Sequence, residues 1–178
     1  AVLSLCAQSA SAQDNNGGAA RILFQLANRE RAAQGLAPLK WSATLAEAAQ
    51  GHALRLAQQN TLSHQFPGEP GLSDRAARAG ARFNTIAENI AEGPSVESIH
   101  KQWMNSPPHR ANLLDQELDS VGIAVADRNG TLFAVQDFSV AVGSFSIREQ
   151  EKLVEAQLQA RKLRLLNYTS DARRSCVI

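Results

Sequence analysis

Val121-Gly122-Ile123-Ala124-Val125-Ala126-Asp127-Arg128-Asn129-Gly130-Thr131-Leu132-Phe133-Ala134-Val135-Gln136-Asp137-Phe138 is where the chain changes period, and that change decides the fold. The runs Val121 to Val125 and Leu132 to Phe138 alternate as strands do, with Asn129-Gly130 between them. Asn-Gly between two alternating runs is the strongest short-range hairpin signal, because the tightest hairpin turns need positive φ at both central residues. Upstream of Val121 the apolar residues recur instead at helical spacing. Helices followed by an antiparallel sheet predict an α+β fold with the helices packed on the sheet.

Working back from the hairpin, Ser95 is the N-cap expected for a helix that holds Val96, Ile99 and Trp103 on one face. Before it, Arg82 to Gly93 reads as an irregular segment with Ile86 and Ile90 as anchors, and Ser73 is expected to cap a short helix through Ala79 that Gly80 stops. Ser42 caps a longer helix to about Asn60, with Leu45, Ala48, Ala49, Leu54, Leu56 and Ala57 as its apolar set. The link Leu36 to Trp41 is short and extended, and Ala20 to Gln34 forms a first amphipathic helix ending at Gly35. After the hairpin, Glu149 to Leu166 reads as one more helix with Leu153, Val154, Leu158 and Leu165 available to pack. Its basic end at Arg161, Lys162 and Arg164 suits the helix dipole without an acidic partner.

The chemistry gathers around Trp103-Met104-Asn105-Ser106-Pro107-Pro108-His109-Arg110-Ala111-Asn112-Leu113-Leu114. The proline pair drives Ser106 out of the α region and stops the helix, so His109 is expected in a loop just past a helix end, able to face a cleft. A polar loop closing a surface helix is the plainer alternative. His64, in Leu62-Ser63-His64 beyond the second helix, occupies a similar place, and Glu88 lies between Ile86 and Ile90. Two imidazoles can hold a divalent cation such as zinc, with open positions for water that a nearby carboxylate orients. No short metal motif of the H-E-x-x-H kind is present, so the residue types suit this chemistry and their spacing does not demand it. Glu88 has a structural alternative, accepting backbone N–H bonds that fix its loop. Asn89 is expected to close an Asx-type turn. His52 and His100, inside helical stretches, read as fillers. Ser106 beside His109 lacks an orienting acid and reads as a helix terminator rather than a nucleophile.

Composition bounds the rest. The 178 residues are 44% hydrophobic and 20% charged, with a formal net charge of +1. That is ordinary globular material with no electrostatic case for nucleic acid or another polyanion. The apolar run Ala1 to Ala7 followed by Ala10-Ser11-Ala12 resembles the end of a secretory signal peptide, with cleavage expected after Ala12. Residues 1–12 are thus assigned to a signal-peptide remnant, 13–19 to a linker, 20–146 to the folded domain and 147–178 to a helical C-terminal extension. Export as a secreted or periplasmic protein is expected, with no transmembrane span. Leu5 ahead of Cys6 disfavours a lipoprotein, and loss of Cys6 with the signal leaves Cys176 without an internal partner.

Leu62-Ser63-His64, Ala87-Glu88-Asn89-Ile90-Ala91-Glu92-Gly93, the Trp103 to Leu114 stretch and Val121-Gly122-Ile123-Ala124-Val125 occur in this order. Together they resemble the bacterial branch of the CAP superfamily, the sperm-coating-protein-like domains related to cysteine-rich secretory, antigen 5 and pathogenesis-related proteins. The resemblance covers about Ala20 to Phe138 and implies an α-β-α sandwich. It also implies a cleft in which two histidines and two glutamates gather, the histidines able to bind zinc or a similar ion. His64 matches the first histidine, His109 the second, and Glu88 the glutamate of the G-E-N motif, with Ala87 in place of its glycine. Where the family has its other glutamate this chain has Ser106, and the disulfides of many eukaryotic members are missing. The cleft set is therefore His64, Glu88, Asn89, Ser106 and His109, with His64 and His109 as metal ligands and Glu88 and His109 as the catalytic groups of any enzyme.

Three functions follow as expectations. The first is an exported module whose cleft binds a small lipid-like or peptide-like ligand, with or without a divalent metal. The second is a metal-dependent hydrolase of peptide or cell-envelope substrates, and the third a surface protein that docks a protein partner through its C-terminal helix.

Overall fold

A computed structural model describes residues 3–143 and 147–160 of the protein. Residues 161–178, with the basic cluster from Arg161 and with Cys176, lie outside the described residues, as does the expected domain end at residue 146. By its internal contacts the chain falls into two units, Ala1–Val142 and Gly143–Ile178.

The first unit opens with α1 (Leu3–Ala33), then β1 (Lys40–Trp41), α2 (Ala43–Gln59), α3 (Leu72–Arg78), β2 (Phe83–Gly93), α4 (Val96–Asn105), α5 (Pro107–Leu114), β3 (Ser120–Arg128) and β4 (Thr131–Ala141). The hairpin is as expected: Arg128 pairs with Thr131, and Asn129 and Gly130 have φ of 53° and 82°. Ser42 caps α2 by accepting from the Leu45 N–H at 3.3 Å. Ser95 caps α4 in a reciprocal box with Ser98.

Several local expectations are corrected. Residues 13–19, expected as a linker, lie within helix α1, although Asp14, Asn15, Asn16, Gly17 and Gly18 are poor helix formers and nothing in their own sequence explains it. The N-cap of α3 is Gly71, so Ser73 lies inside the helix. The stretch from Arg82 to Gly93, expected to be irregular, contributes an eleven-residue strand, β2. Pro107 and Pro108 do not open a loop: they occupy the first turn of α5, where a missing N–H costs nothing and the fixed φ suits a helix. His109 is therefore on a helix.

The sheet has the order β1-β3-β4-β2, antiparallel except for the two-residue β1, which pairs parallel with β3. The expected all-antiparallel sheet is thus mixed at one edge, and β2 forms the other. Strand alternation sends apolar residues to two cores. On one face Val121, Ile123, Val125, Ala134 and Phe138 meet Leu23 and Ala27 of α1, Ile99 and Trp103 of α4 and Leu113 of α5. On the other, Ala124, Ala126, Phe133, Val135 and Ile90 meet Ala49, Ala53 and Leu56 of α2. This is the α-β-α sandwich, with α1, α4 and α5 in one layer and α2 with α3 in the other.

Two features set the layers' positions. Gly122 lies under the first turn of α2, where a Cβ would stand 2.0 Å from the Ala46 nitrogen, so only glycine lets that helix approach. Arg31, almost wholly buried, donates to the carbonyls of Ala37, Leu113, Asp115 and Leu118 and so ties α1 to the end of α5. In the second unit α6 (Ile147–Ala160) presents Leu153 and Val154 exposed.

Candidate functional site

The site is organised by β2, whose successive side chains point into opposite layers. Glu88 points to the α2–α3 side: its Oε1 bonds His64 Nδ1 at 2.7 Å, and its Oε2 takes a short bond from Arg75 Nη2. Asn89 points to the α4–α5 side, where its amide donates to the His109 carbonyl at 3.0 Å and its Oδ1 accepts from Asn112 at 3.0 Å. Glu88 and Asn89 therefore do not line one cleft together. Nor does Asn89 close a turn: it is fully buried in mid-strand and also donates to Gln136 Oε1 at 3.3 Å.

His64 comes from the loop after α2 and His109 from the third position of α5, each reaching the edge strand from its own layer. The His64 side chain is 62% exposed, while that of Glu88 is 2% exposed. Since Glu88 holds Nδ1, the His64 Nε2 is turned outward. His109 is half-buried, and its ring makes no hydrogen bond among the described residues. The hydrogen bond to Glu88 raises the His64 pKa, against an opposing effect of burial. Burial lowers that of His109, and the neighbouring His64 charge lowers it further. One imidazole is thus biased to carry a proton and the other to be a free base. Ser106 joins α4 to α5 with an extended backbone, and its hydroxyl caps neither helix.

Three charged groups absent from the expected set complete the buried side. Arg75 of α3 also donates to the carbonyls of His64, at 3.1 Å, and Pro70, at 3.2 Å, so one guanidinium fixes both Glu88 and the backbone that carries His64. His52 is no filler: it is fully buried, with Nδ1 at 2.8 Å from Glu69 Oε1 and Nε2 at 3.8 Å from Glu88 Oε2. Burial acts to raise the Glu69 carboxyl, but the bonds from His52 and the Phe66 N–H, with the His52 and Arg75 charges, outweigh it and hold it low. Position 52 was legible as a core position, since Leu45, Ala49, His52 and Leu56 fall on one helical stripe. His100, also read as a filler, is buried 3.4 Å from Glu30 in the opposite layer.

Among the described residues no group of three or more His, Cys, Asp or Glu side chains is arranged to hold a metal ion. His64 and His109 would supply two ligands, leaving the other positions to water or a bound molecule. The fit is chemically sound on one count: a carboxylate on Nδ1 is the usual partner that orients a metal-binding imidazole and keeps Nε2 available. A separate open groove of about 410 Å³, lined by Met104, Asn105, Pro107, Arg110, Ala111 and Leu114, includes none of these groups. No helix among the described residues is long and apolar enough to cross a membrane.

Comparison with known proteins agrees with this architecture. The profile described as "CAP: Cysteine-rich secretory protein family" matches residues 24–138. The uncharacterized protein YkwD of Bacillus subtilis (strain 168) is 32% identical over 115 residues, which are 64% of this chain and 44% of that protein. An extracellular protein containing an SCP domain from Bacillus anthracis superposes with a TM-score of 0.66 at 29% identity, over 72% of this chain and 42% of that one. An outer surface protein from Borrelia burgdorferi superposes with a TM-score of 0.65 at 22% identity, over 70% and 94% of the two chains, and shows the shared fold. The chain therefore spans less than half the length of its Bacillus relatives.

Proposed function

The chain belongs to the cysteine-rich secretory protein (CAP) family, and on that premise we propose that it is an exported binding domain whose His64–Glu88–His109 site takes a small lipid-like or peptide-like ligand together with a divalent cation such as zinc. The observation that carries this reading is the 2.7 Å bond from His64 Nδ1 to Glu88, which turns Nε2 away from the protein, where a cation would compete with the proton that the same bond favours. His109, held toward its neutral form, offers a second nitrogen base. A cation bound there would supply Lewis acidity and open coordination positions for a ligand oxygen.

Geometry supports binding over turnover. Glu88 as general base would have to reach a water molecule, whereas both its oxygens are taken by His64 and Arg75 and the side chain is buried, which leaves His109 as the one cleft residue able to take a proton. Ser106 stands where a second carboxylate would be needed. Export of this chain is supported by the description of a similar Bacillus anthracis structure as an extracellular protein; a signal peptide ending at Ala12 is the route that the sequence of residues 1–12 suggests.

Calorimetric titration of the full chain with zinc near pH 7 tests the metal reading. Binding by the wild type that is lost in both His64→Ala and His109→Ala is the expected result. No heat from the wild type, or undiminished binding by either variant, rejects a two-histidine site.

A further inference from the structure

Directly across the β2–β4 pair from Glu88 stands Asp137, and across the β3–β4 pair from Asp137 stands Gly122. Asp137 is fully buried, and neither of its carboxyl oxygens finds a hydrogen-bond donor among the described residues. The groups that face it explain the shortage. From β2 comes Glu88, another acceptor; β3 offers only Gly122, roofed by the Leu45 and Ala46 backbone of α2. From α3, Arg75 is committed to Glu88 and to the carbonyls of His64 and Pro70. From α2, His52 is turned to Glu69 and Glu88.

Of the two buried carboxyl groups, Glu88 thus takes Arg75, His64 and the nearer approach of His52, and Asp137 is left with no donor among the described residues. A second negative charge on Asp137 would stand beside that of Glu88 with no hydrogen bond of its own, while a single proton turns one acceptor into a donor and satisfies the pair. We infer that Asp137 is kept as a neutral carboxylic acid whose O–H donates to Glu88, making it the positioning residue that fixes Glu88 beneath His64. Burial first, and then the Glu88 charge, push the Asp137 pKa well above the carboxylate range despite Arg75, and the hydrogen bond between the two carboxyls acts in the same direction. Asp137 touches no solvent, so it works only through Glu88. This inference stands on the carboxyl pair and is independent of whether a metal binds.

Isosteric replacement separates an acid from a carboxylate here, since Asp137→Asn keeps the shape and a donor toward Glu88 but cannot titrate. Infrared spectra of the full chain at pH 7 are expected to contain the carbonyl stretch of a protonated carboxyl group in the wild type and to lose it in Asp137→Asn. Urea unfolding across pH gives the second readout. The folded wild type keeps a proton that the unfolded chain releases above the ordinary Asp value of about 3.9. Its folding constant relative to Asp137→Asn should therefore fall about tenfold per pH unit from there up to the value at which Asp137 ionises in the fold. A wild-type spectrum without the protonated band, a band that survives in Asp137→Asn, or parallel stability curves would each overturn the assignment.

Discussion

Replacing Arg75 by Met removes the one guanidinium from beside Glu88 and keeps most of the side-chain volume. Both partners are buried, with side-chain exposures of 7% for Arg75 and 2% for Glu88, so water cannot take the place of the lost bond. Stripping one member from a buried pair leaves an uncompensated charge and costs about 3–5 kcal/mol. The bonds to the carbonyls of His64 and Pro70 go with it. At roughly 2–4 °C per kcal/mol for a chain of this size, Tm should drop by roughly 6–20 °C. Urea unfolding at pH 7, followed through tryptophan fluorescence, measures the loss. The double variant Arg75→Met/Glu88→Gln removes both charges, and its cost should fall well short of the sum of the two single costs. A single-variant loss below about 1 kcal/mol, the range of exposed pairs, or strict additivity in the cycle, would refute the claim that Arg75 anchors the site.

Gly122→Ala should be among the most damaging conservative changes, because its Cβ would meet helix backbone at 2.0 Å rather than a movable side-chain tip; a loss of about 1–3 kcal/mol or more is expected from such overpacking, and a thermal melt matching the wild type would exclude the close approach of α2. In an NMR pH titration His64 should titrate above the ordinary imidazole value and His109 below it, and the reverse order would contradict the assigned environments. The signs follow from linkage: the His64 contribution to stability is present below the unfolded histidine value and lost as pH rises through the folded one, while that of His109 is present above the unfolded value and lost as pH falls through the folded one.

The hairpin and the N-caps at Ser42 and Ser95 were legible because each rests on a local rule that tertiary context did not override, whereas the α-β-α layering came from the family resemblance. Pro107-Pro108 was misread for a specific reason: the same residues end one helix and begin another, and a proline stop looks identical in sequence to a proline start. Strand β2 was missed because it is an edge strand buried on both faces only from Glu88 to Ala91, so no clean alternation marks it. Of the site, His64, Glu88 and His109 stood out by residue type and position, and the family motifs matched the same three. Arg75 carried no signal, being one of two arginines on a short helix. Asp137 did carry one: it shares the period of Phe133 and Val135, both fully buried, so an acid at that position had to be buried too.

The side-by-side placement of Glu88 and Asn89 makes the site depend on the register of β2, and the apolar residues around them enforce the same register. A slip of one residue would exchange every side chain between layers. Glu88 would then face α5 and Asn89 would face Arg75, orphaning a buried guanidinium. It would also drive Ile90 from the α2 core into the layer of Trp103 and Phe138, and leave Ala91 where Ile90 had filled space. Overpacking on one face and a cavity on the other add their costs to the electrostatic one. Ala87, which stands where the family motif has glycine, fits this register as well, since its side chain packs against the Trp103 core on the face away from Glu88. The edge strand thus holds His64 from one layer and the backbone of His109 from the other, because the polar pattern that anchors the His64 ring and the His109 carbonyl and the apolar pattern that fills the two cores admit only one pairing.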